Sequence, residues 1–180
     1  QEKMWAQRFA AFHPPTLVTN DVERLRTFVL NQPGRVVLKP WNGNGGRGVL
    51  VTQKGDRNLR SMIEILTVER REFALAQPYL ERVDEGDKRI LLFGGQPVGA
   101  MLRVPDKADF RGNMHVGATV QACELTAQHQ AICAALGPHL AQEGLLFVGI
   151  DVIDGWLTEI NVTSPTGIQE MNRLYNVKLE

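Results

Sequence analysis

The chain has 180 residues, 43% of them hydrophobic, with 20 Lys and Arg balanced by 20 Asp and Glu. That length supports one domain, or two small lobes, with a core that needs no disulfide or metal staple. Zero formal charge argues against a nucleic-acid coating protein, which needs a basic excess. No stretch approaches the roughly 18 apolar residues of a membrane span.

The two cysteines, Cys123 and Cys133, are too few for a disulfide scaffold and lack metal-ligand spacing. They read as small hydrophobes of a reducing compartment, so a cytoplasmic location is expected. The opening Gln1-Glu2-Lys3-Met4-Trp5 has no apolar signal region. It also lacks an initiator Met and starts inside a helical pattern, which predicts a piece of a longer protein.

Met4, Trp5, Phe9 and Phe12 have helical spacing, so a helix is expected over 2–12, stopped by His13-Pro14-Pro15. Leu17-Val18-Thr19 reads as a strand. Asn20 or Asp21 caps a helix over 22–31. Strands are expected at 35–39 and 49–52, then a helix at 58–67 and a strand at 72–77. Gly94-Gly95 closes a hairpin of strands 88–93 and 97–104. Residues 105–118 read as a polar loop. Thr126 caps a helix to Gln142, with a kink expected at Gly137-Pro138 and a stop at Gly144. A hairpin of 146–153 and 157–162, then a short helix, ends the chain. The mix is α+β with largely antiparallel sheet.

The run Gly43-Asn44-Gly45-Gly46-Arg47-Gly48 fits G-x-G-x-x-G, but a strand, not a helix, follows it. A dinucleotide fingerprint needs strand then helix, and no G-K-[S/T] marks a Walker loop. What remains is a glycine loop between antiparallel strands, able to fold over phosphates with bare backbone N–H groups. An ordinary flexible hairpin is the alternative. Lys39 ends the strand directly before this loop, where a lysine is costly without an anionic partner. A phosphate would serve; a snorkelling edge lysine is the other reading.

The last hairpin places Asp151, Glu159 and Asn161 within apolar strands. A two-residue turn alone sets 151 opposite 158 and separates the two acids. One bulge, or a three-residue turn, sets 151 opposite 159 and gives all three side chains one face. The second register also gathers Ile150, Val152, Thr158, Ile160 and Val162 on a core face, so it is the one expected. Two carboxylates and an amide oxygen on one face suit Mg²⁺ that also holds phosphates; pairing of each acid with an arginine is the alternative.

Arg89, Arg103 and Arg111 lie near strand or loop ends and suit carboxylate or phosphate groups bound bidentately, a solvated rim being the bland alternative. Lys88 has the other parity from Arg89 and stays open between the two. The four histidines show no metal spacing, and His129 and His139 are placed on a helix surface. No Ser-His-Asp or Cys-His constellation supports nucleophilic hydrolysis.

Several motifs together carry a resemblance. They are Val37-Leu38-Lys39-Pro40 with the glycine loop, Ala76-Gln77-Pro78-Tyr79-Leu80, Gly86-Asp87-Lys88-Arg89, Arg111-Gly112-Asn113, Phe147-Val148-Gly149-Ile150-Asp151, and the run from Thr158 to Thr166. Over essentially the whole chain the sequence resembles bacterial glutathione synthetases of the ATP-grasp superfamily. The resemblance implies an ATP-grasp fold, α+β, with two small lobes of mainly antiparallel sheet clasping a nucleotide. Residues from about 16 to 80 would form the nucleotide-covering lobe. Residues from about 81 to 180, with the helix of 1–15, would form the metal and substrate lobe.

The resemblance also implies site roles. Lys3 and Lys39 would touch ATP phosphates, and Gly43, Asn44, Gly45 and Gly46 would cover them. Gln77, Tyr79 and Leu80 would lie at the adenine, and Asp87 near the nucleoside. Asp151, Glu159 and Asn161 would hold Mg²⁺, with Mn²⁺ as an alternative ion. Arg103, Arg111 and Asn113 would serve the reacting groups, and Arg89, Ser164, Pro165 and Thr166 the substrates. The implied reaction joins γ-glutamylcysteine to glycine with ATP through an acyl phosphate, in a full-length homo-oligomer acting without nucleic acid or membrane. Ligases of other amino-acid or peptide specificity, or a truncated ATP-binding module without activity, are the alternatives. The resemblance implies that the sequence is the ATP-grasp portion without the family's separate N-terminal domain, and Val116-Gly117-Ala118-Thr119-Val120-Gln121 departs from the family's glycine-pair and basic pattern.

Overall fold

The computed structural model describes residues 2–43, 45–105 and 119–179. The chain opens with α1 (Glu2–Ala6), a 3-10 stretch (Gln7–Phe12), β1 (Leu17–Thr19), α2 (Val22–Asn31), β2 (Val36–Pro40) and β3 (Leu50–Thr52). Next come α3 (Leu59–Leu66), β4 (Ala74–Pro78), a 3-10 turn (Glu81–Glu85), β5 (Asp87–Phe93) and β6 (Gln96–Val104). The last elements are β7 (Thr119–Ala122), α4 (Ala127–Gln142), β8 (Phe147–Ile153), β9 (Trp156–Asn161) and α5 (Ile168–Tyr175). They form two compact units, one of Pro14–Leu80 and one of Gln1–His13 with Glu81–Glu180.

In the Pro14–Leu80 unit a four-stranded antiparallel sheet runs β1-β4-β2-β3. The Asp21 carboxylate accepts the N–H groups of Glu23 (2.8 Å) and Arg24 (3.1 Å), which caps α2 where otherwise unpaired donors point out. The stripes Val22, Leu25, Val29 of α2 and Leu59, Ile63, Leu66 of α3 then bury against Val36, Leu38, Ala74 and Ala76. Alternation leaves Val37, Lys39, Leu75 and Gln77 on the opposite face of that sheet.

The other unit carries a five-stranded antiparallel sheet, β7-β6-β5-β8-β9. One face, with Ile90, Leu92, Ala100, Val148, Ile150, Val152, Leu157 and Ile160, packs on Ile132, Cys133, Leu136 and Leu140 of α4 and on Ala6 and Phe9. The reverse face is divided. At one end Leu91 and Met101 pack under Met171 of α5; at the other end the inward side chains are charged.

Several local expectations change. The opening helix tightens to 3-10 at Gln7, and Phe9 (φ −108°, ψ 39°) leaves helical geometry. β7 and the 3-10 turn at Glu81–Glu85 were not expected. α4 runs as one helix across Pro138; Gly137 is needed there because its added Cβ would lie 2.5 Å from the carbonyl oxygen of Gly95. His129 is buried rather than on the surface. It closes a capping box: its N–H donates to Thr126 Oγ1, and its Nδ1 accepts the Thr126 N–H at 3.0 Å. Burial and then the Lys88 ammonium push its pKa down. Lys88, on the face opposite Arg89, donates to the Glu124 carbonyl at 2.7 Å.

Candidate functional site

The charged end of the five-stranded sheet is assembled by register alone. Asp87 lies opposite Arg103, Arg89 opposite Asp151, and Asp151 opposite Glu159, while Asn161 lies opposite Gly149. The odd register of the last hairpin arises from a two-residue Asp154-Gly155 turn followed by one bulge, since Val152 pairs with Leu157 but Asp151 with Glu159. Thr158 is the extra residue, and its hydroxyl donates to the Asp151 carbonyl at 3.0 Å. Leu157, not Thr158, therefore completes the core face.

The cluster is buried at its centre: Asp151, Arg89, Arg103 and Asp87 are only 4%, 5%, 6% and 8% exposed. Arg89 clamps Asp151 with a fork, Nε to Oδ1 at 2.5 Å and Nη2 to Oδ2 at 2.8 Å. Arg103 lies between two acids, with Nε 2.5 Å from Asp87 Oδ1 and Nη2 3.0 Å from Asp151 Oδ1. Burial alone would raise the Asp151 carboxyl, but the guanidinium groups of Arg103 and Arg89 outweigh it and hold the group well below the usual carboxylate range. Asp87 is pushed up to about 7 by burial and by the charge of Asp151, against the pull of Arg103. Arg103 is buried too, yet the two carboxylates hold its proton more tightly than usual.

Glu159 and Asn161 share this face and are half-buried. Asn161 Nδ2 donates to Asp151 Oδ2 at 3.3 Å. Among the described residues no three His, Cys, Asp or Glu side chains converge as a metal site; on this face Asn161 adds an amide to the carboxylates of Asp151 and Glu159. Beyond β9, Thr163, Ser164 and Thr166 are exposed and Pro165 is half-buried.

The Pro14–Leu80 unit holds the other predicted side chains. Lys39 stands in β2 opposite Leu75, on the sheet face that α2 and α3 leave uncovered. Gly45 (φ 59°) and Gly46 (φ 72°) take left-handed conformations that larger residues resist. Gly43 is confined differently, since an added Cβ would lie 2.5 Å from Pro40 Cγ. Gln77 is buried and donates to Thr16 Oγ1 at 2.9 Å. Tyr79 donates its N–H to the Arg35 carbonyl at 2.8 Å, and the Arg35 guanidinium lies 4.0 Å from its ring centroid. Leu80 ends this unit, and Lys3 lies in α1 of the other unit. Asn44, Arg111 and Asn113 lie outside the described residues.

Residues 2–176 match the family described as prokaryotic glutathione synthetase, ATP-grasp domain. The chain belongs to that family. It is 52% identical over 178 residues to a glutathione synthetase of Thermosynechococcus vestitus, covering 99% of this chain and 56% of that protein. Against the glutathione synthetase of Agrobacterium fabrum it is 50% identical over 172 residues, 96% of this chain and 54% of the other. The chain thus spans about half the length of these relatives. Among solved structures, D-cycloserine synthetase DcsG is similar with a TM-score of 0.68 and 23% identity, over 91% of this chain and 62% of that one. The ATP-grasp ligase PsnB, complexed with Mg, ADP and a precursor variant, gives 0.65 and 23%, over 98% and 53%. A Bacillus anthracis D-alanine–D-alanine ligase gives 0.63 and 15%, over 98% and 61%. These likenesses establish the ATP-grasp fold of the prokaryotic glutathione synthetase domain.

One polar contact of the chain had no sequence signal. The carboxylate of Glu2 accepts the N–H groups of Val162 and Thr163 across a separation of 160 residues. The Arg89–Asp151 pairing, by contrast, follows once β5 and β8 are known to be neighbours, because both residues take the same face.

Proposed function

We propose that this chain is the ATP-grasp portion of a ligase that joins γ-glutamylcysteine to glycine. The observation that carries the proposal is identity of about half to glutathione synthetases across nearly the whole chain. The peptide carboxylate attacks the γ-phosphorus of ATP, releasing ADP and forming an acyl phosphate. The glycine amine adds to that carbonyl, loses its proton, and the tetrahedral intermediate expels phosphate. Such chemistry needs positioned charge more than a nucleophilic side chain.

Lys39 and the amides around Gly43, Gly45 and Gly46 would neutralise and cover the phosphates, with Lys3 as a second phosphate contact. Gln77, Tyr79 and Leu80 would serve the adenine, and Asp87 the nucleoside. Glu159, Asn161 and Asp151 would hold Mg²⁺. Their donor set fits a hard cation, because all three present oxygen on one sheet face. Both Asp151 oxygens already accept two bonds each, and the 3.3 Å bond from Asn161 is the longest to give way. Bound there, the ion would neutralise phosphate charge. Arg89 and Arg103 are buried and bonded to acids, which supports a role in holding Asp151 and Asp87 rather than gripping substrate directly. Arg111 and Asn113 remain the candidates for the reacting phosphate, and Ser164, Pro165 and Thr166 for the substrates. The homo-oligomer belongs to the same proposal.

The test supplies the full-length protein with ATP, Mg²⁺, γ-glutamylcysteine and glycine. ADP and glutathione should form in equal amounts, and no turnover with that pair would overturn the assignment. Replacing glycine or the peptide by other amines and acids separates a ligase of different specificity. Lys39→Ala should weaken Mg·ATP binding by about tenfold, the scale of a lost charge-assisted contact, measured by calorimetric titration. Unchanged affinity would remove Lys39 from the site.

A further inference from the structure

The segment that leaves β9, Val162 to Thr166, is held by polar groups together with the partial burial of Val162 and Pro165. Thr163, Ser164 and Thr166 are exposed, and Ser164 takes a left-handed conformation (φ 52°) that a non-glycine residue adopts at a cost. Its start is fixed from the far end of the sequence. Glu2 Oε1 accepts the Val162 N–H at 2.7 Å and the Thr163 N–H at 2.9 Å. Its end is fixed by Arg89, whose Nη1 donates to the Thr166 carbonyl at 3.0 Å while the same guanidinium clamps Asp151. Gly149 lets Pro165 approach the sheet, since an added Cβ would lie 2.9 Å from Pro165 Cβ. One oxygen accepting two backbone N–H groups is a strong, directional anchor, and it lies on the two residues directly after Asn161.

We infer that Glu2 is a positioning residue for the reaction, an inference that rests on the function proposed above. Its carboxylate sets the backbone path out of β9, which fixes both the facing of Asn161 and the presentation of Ser164, Pro165 and Thr166. The adenine and phosphate contacts assigned to the Pro14–Leu80 unit do not depend on it. Removing it should therefore affect the amide-forming substrates more than ATP.

The experiment compares Glu2→Ala and Glu2→Gln with the parent sequence in the full-length protein. With Glu2→Ala, KM for γ-glutamylcysteine or glycine should rise about fivefold or more and kcat should fall about tenfold, as misplacement of reacting groups predicts. KM for ATP should rise less than those values, because Lys39, the glycine loop, Gln77, Tyr79 and Leu80 belong to the other unit and only Lys3 and Asn161 lie beside Glu2. Glu2→Gln keeps an acceptor oxygen and should recover most of the loss. Amide exchange at Val162 and Thr163 should quicken by about tenfold in the alanine variant, because both N–H groups lose their acceptor. Turnover by the parent with an unaltered Glu2→Ala enzyme would overturn the positioning role. So would a glutamine variant as impaired as alanine, or an equal rise in all three KM values. A parent that turns over none of these substrates overturns the proposed function instead. In that event unchanged exchange at Val162 and Thr163 also overturns the tether, and quickened exchange upholds it.

Discussion

Asp87 and Asp151 are the same side chain on one face of one sheet, and both touch Arg103, yet their surroundings separate them. Asp151 accepts from Arg89 and Arg103, so it keeps its charge to low pH. Asp87 has Arg103 as its ion-pair partner, lies buried, and feels the neighbouring carboxylate, so it takes up a proton first, near pH 7. The sign for stability follows. A carboxyl whose folded pKa is raised binds more protons folded than unfolded, so its contribution is largest at acid pH and is lost as pH rises through that value. Asp151 has the opposite sign, stabilising above the usual carboxylate range and losing that contribution only in strong acid. Asp87→Asn should therefore gain in denaturation midpoint relative to the parent between about pH 5 and about pH 8. Midpoints that keep a constant difference over that range would show that Asp87 does not titrate there. Arg103→Ala should cost about 3 to 5 kcal/mol, because it leaves two buried carboxylates short of a cation; chemical denaturation at neutral pH measures it.

Among the elements, β9 shows how much chemistry one residue of register carries. Side chains alternate with a period of two, so a core face of Ile150, Val152 and Ile160 forces Asp151, Glu159 and Asn161 onto the other face. That was legible in the sequence, because placing Glu159 inward would have cost a buried charge. The position of the bulge was not legible, since Leu157 and Thr158 compete for the same core slot and only packing chooses leucine. The edge strand β7, almost wholly exposed, offers no apolar alternation to read. Glu2 was invisible for another reason: a side chain bonded to backbone N–H groups leaves no mark on the residue types of its partners. The Mg²⁺ set and the phosphate reading of Lys39 and the glycine loop came from the residues themselves, family resemblance carried the other ligand roles, and pairing of the acids with arginines stood beside the metal reading as an open alternative. The bulge makes a sharp prediction. Deleting Thr158 removes the extra residue without changing which side chains face Asp151, so it should cost about 1 kcal/mol for the lost hydroxyl bond and leave Mg·ATP affinity intact. Inserting an alanine between Glu159 and Ile160 shifts Ile160 off the core face and should unfold the hairpin or abolish binding. Equal damage from both changes would contradict this register.

At the scale of the whole molecule, each compact unit has its own apolar core. Leu25, Val29, Val36, Leu38 and Ile63 are buried within the Pro14–Leu80 unit. Ile90, Ile132, Leu136, Val148 and Ile150 are buried within the other. No helix among the described residues is long and apolar enough to cross a membrane, and in each unit helices close one face of a sheet. Separate cores allow separate opening, because local stability follows the contacts that an unfolding segment must break. Leu38 is fully buried one residue before Lys39, and its truncation leaves a cavity among α2, α3 and β4. Leu38→Ala should lose about 2 to 5 kcal/mol, confined to its own unit. Residue-resolved hydrogen exchange should show faster opening at Val29, Val36 and Ala76, with Ile90, Leu140 and Ile150 unchanged. Acceleration by the same factor at all six amides would mean that the two units unfold as one cooperative body, and that nucleotide affinity and substrate chemistry cannot be weakened independently by core mutations.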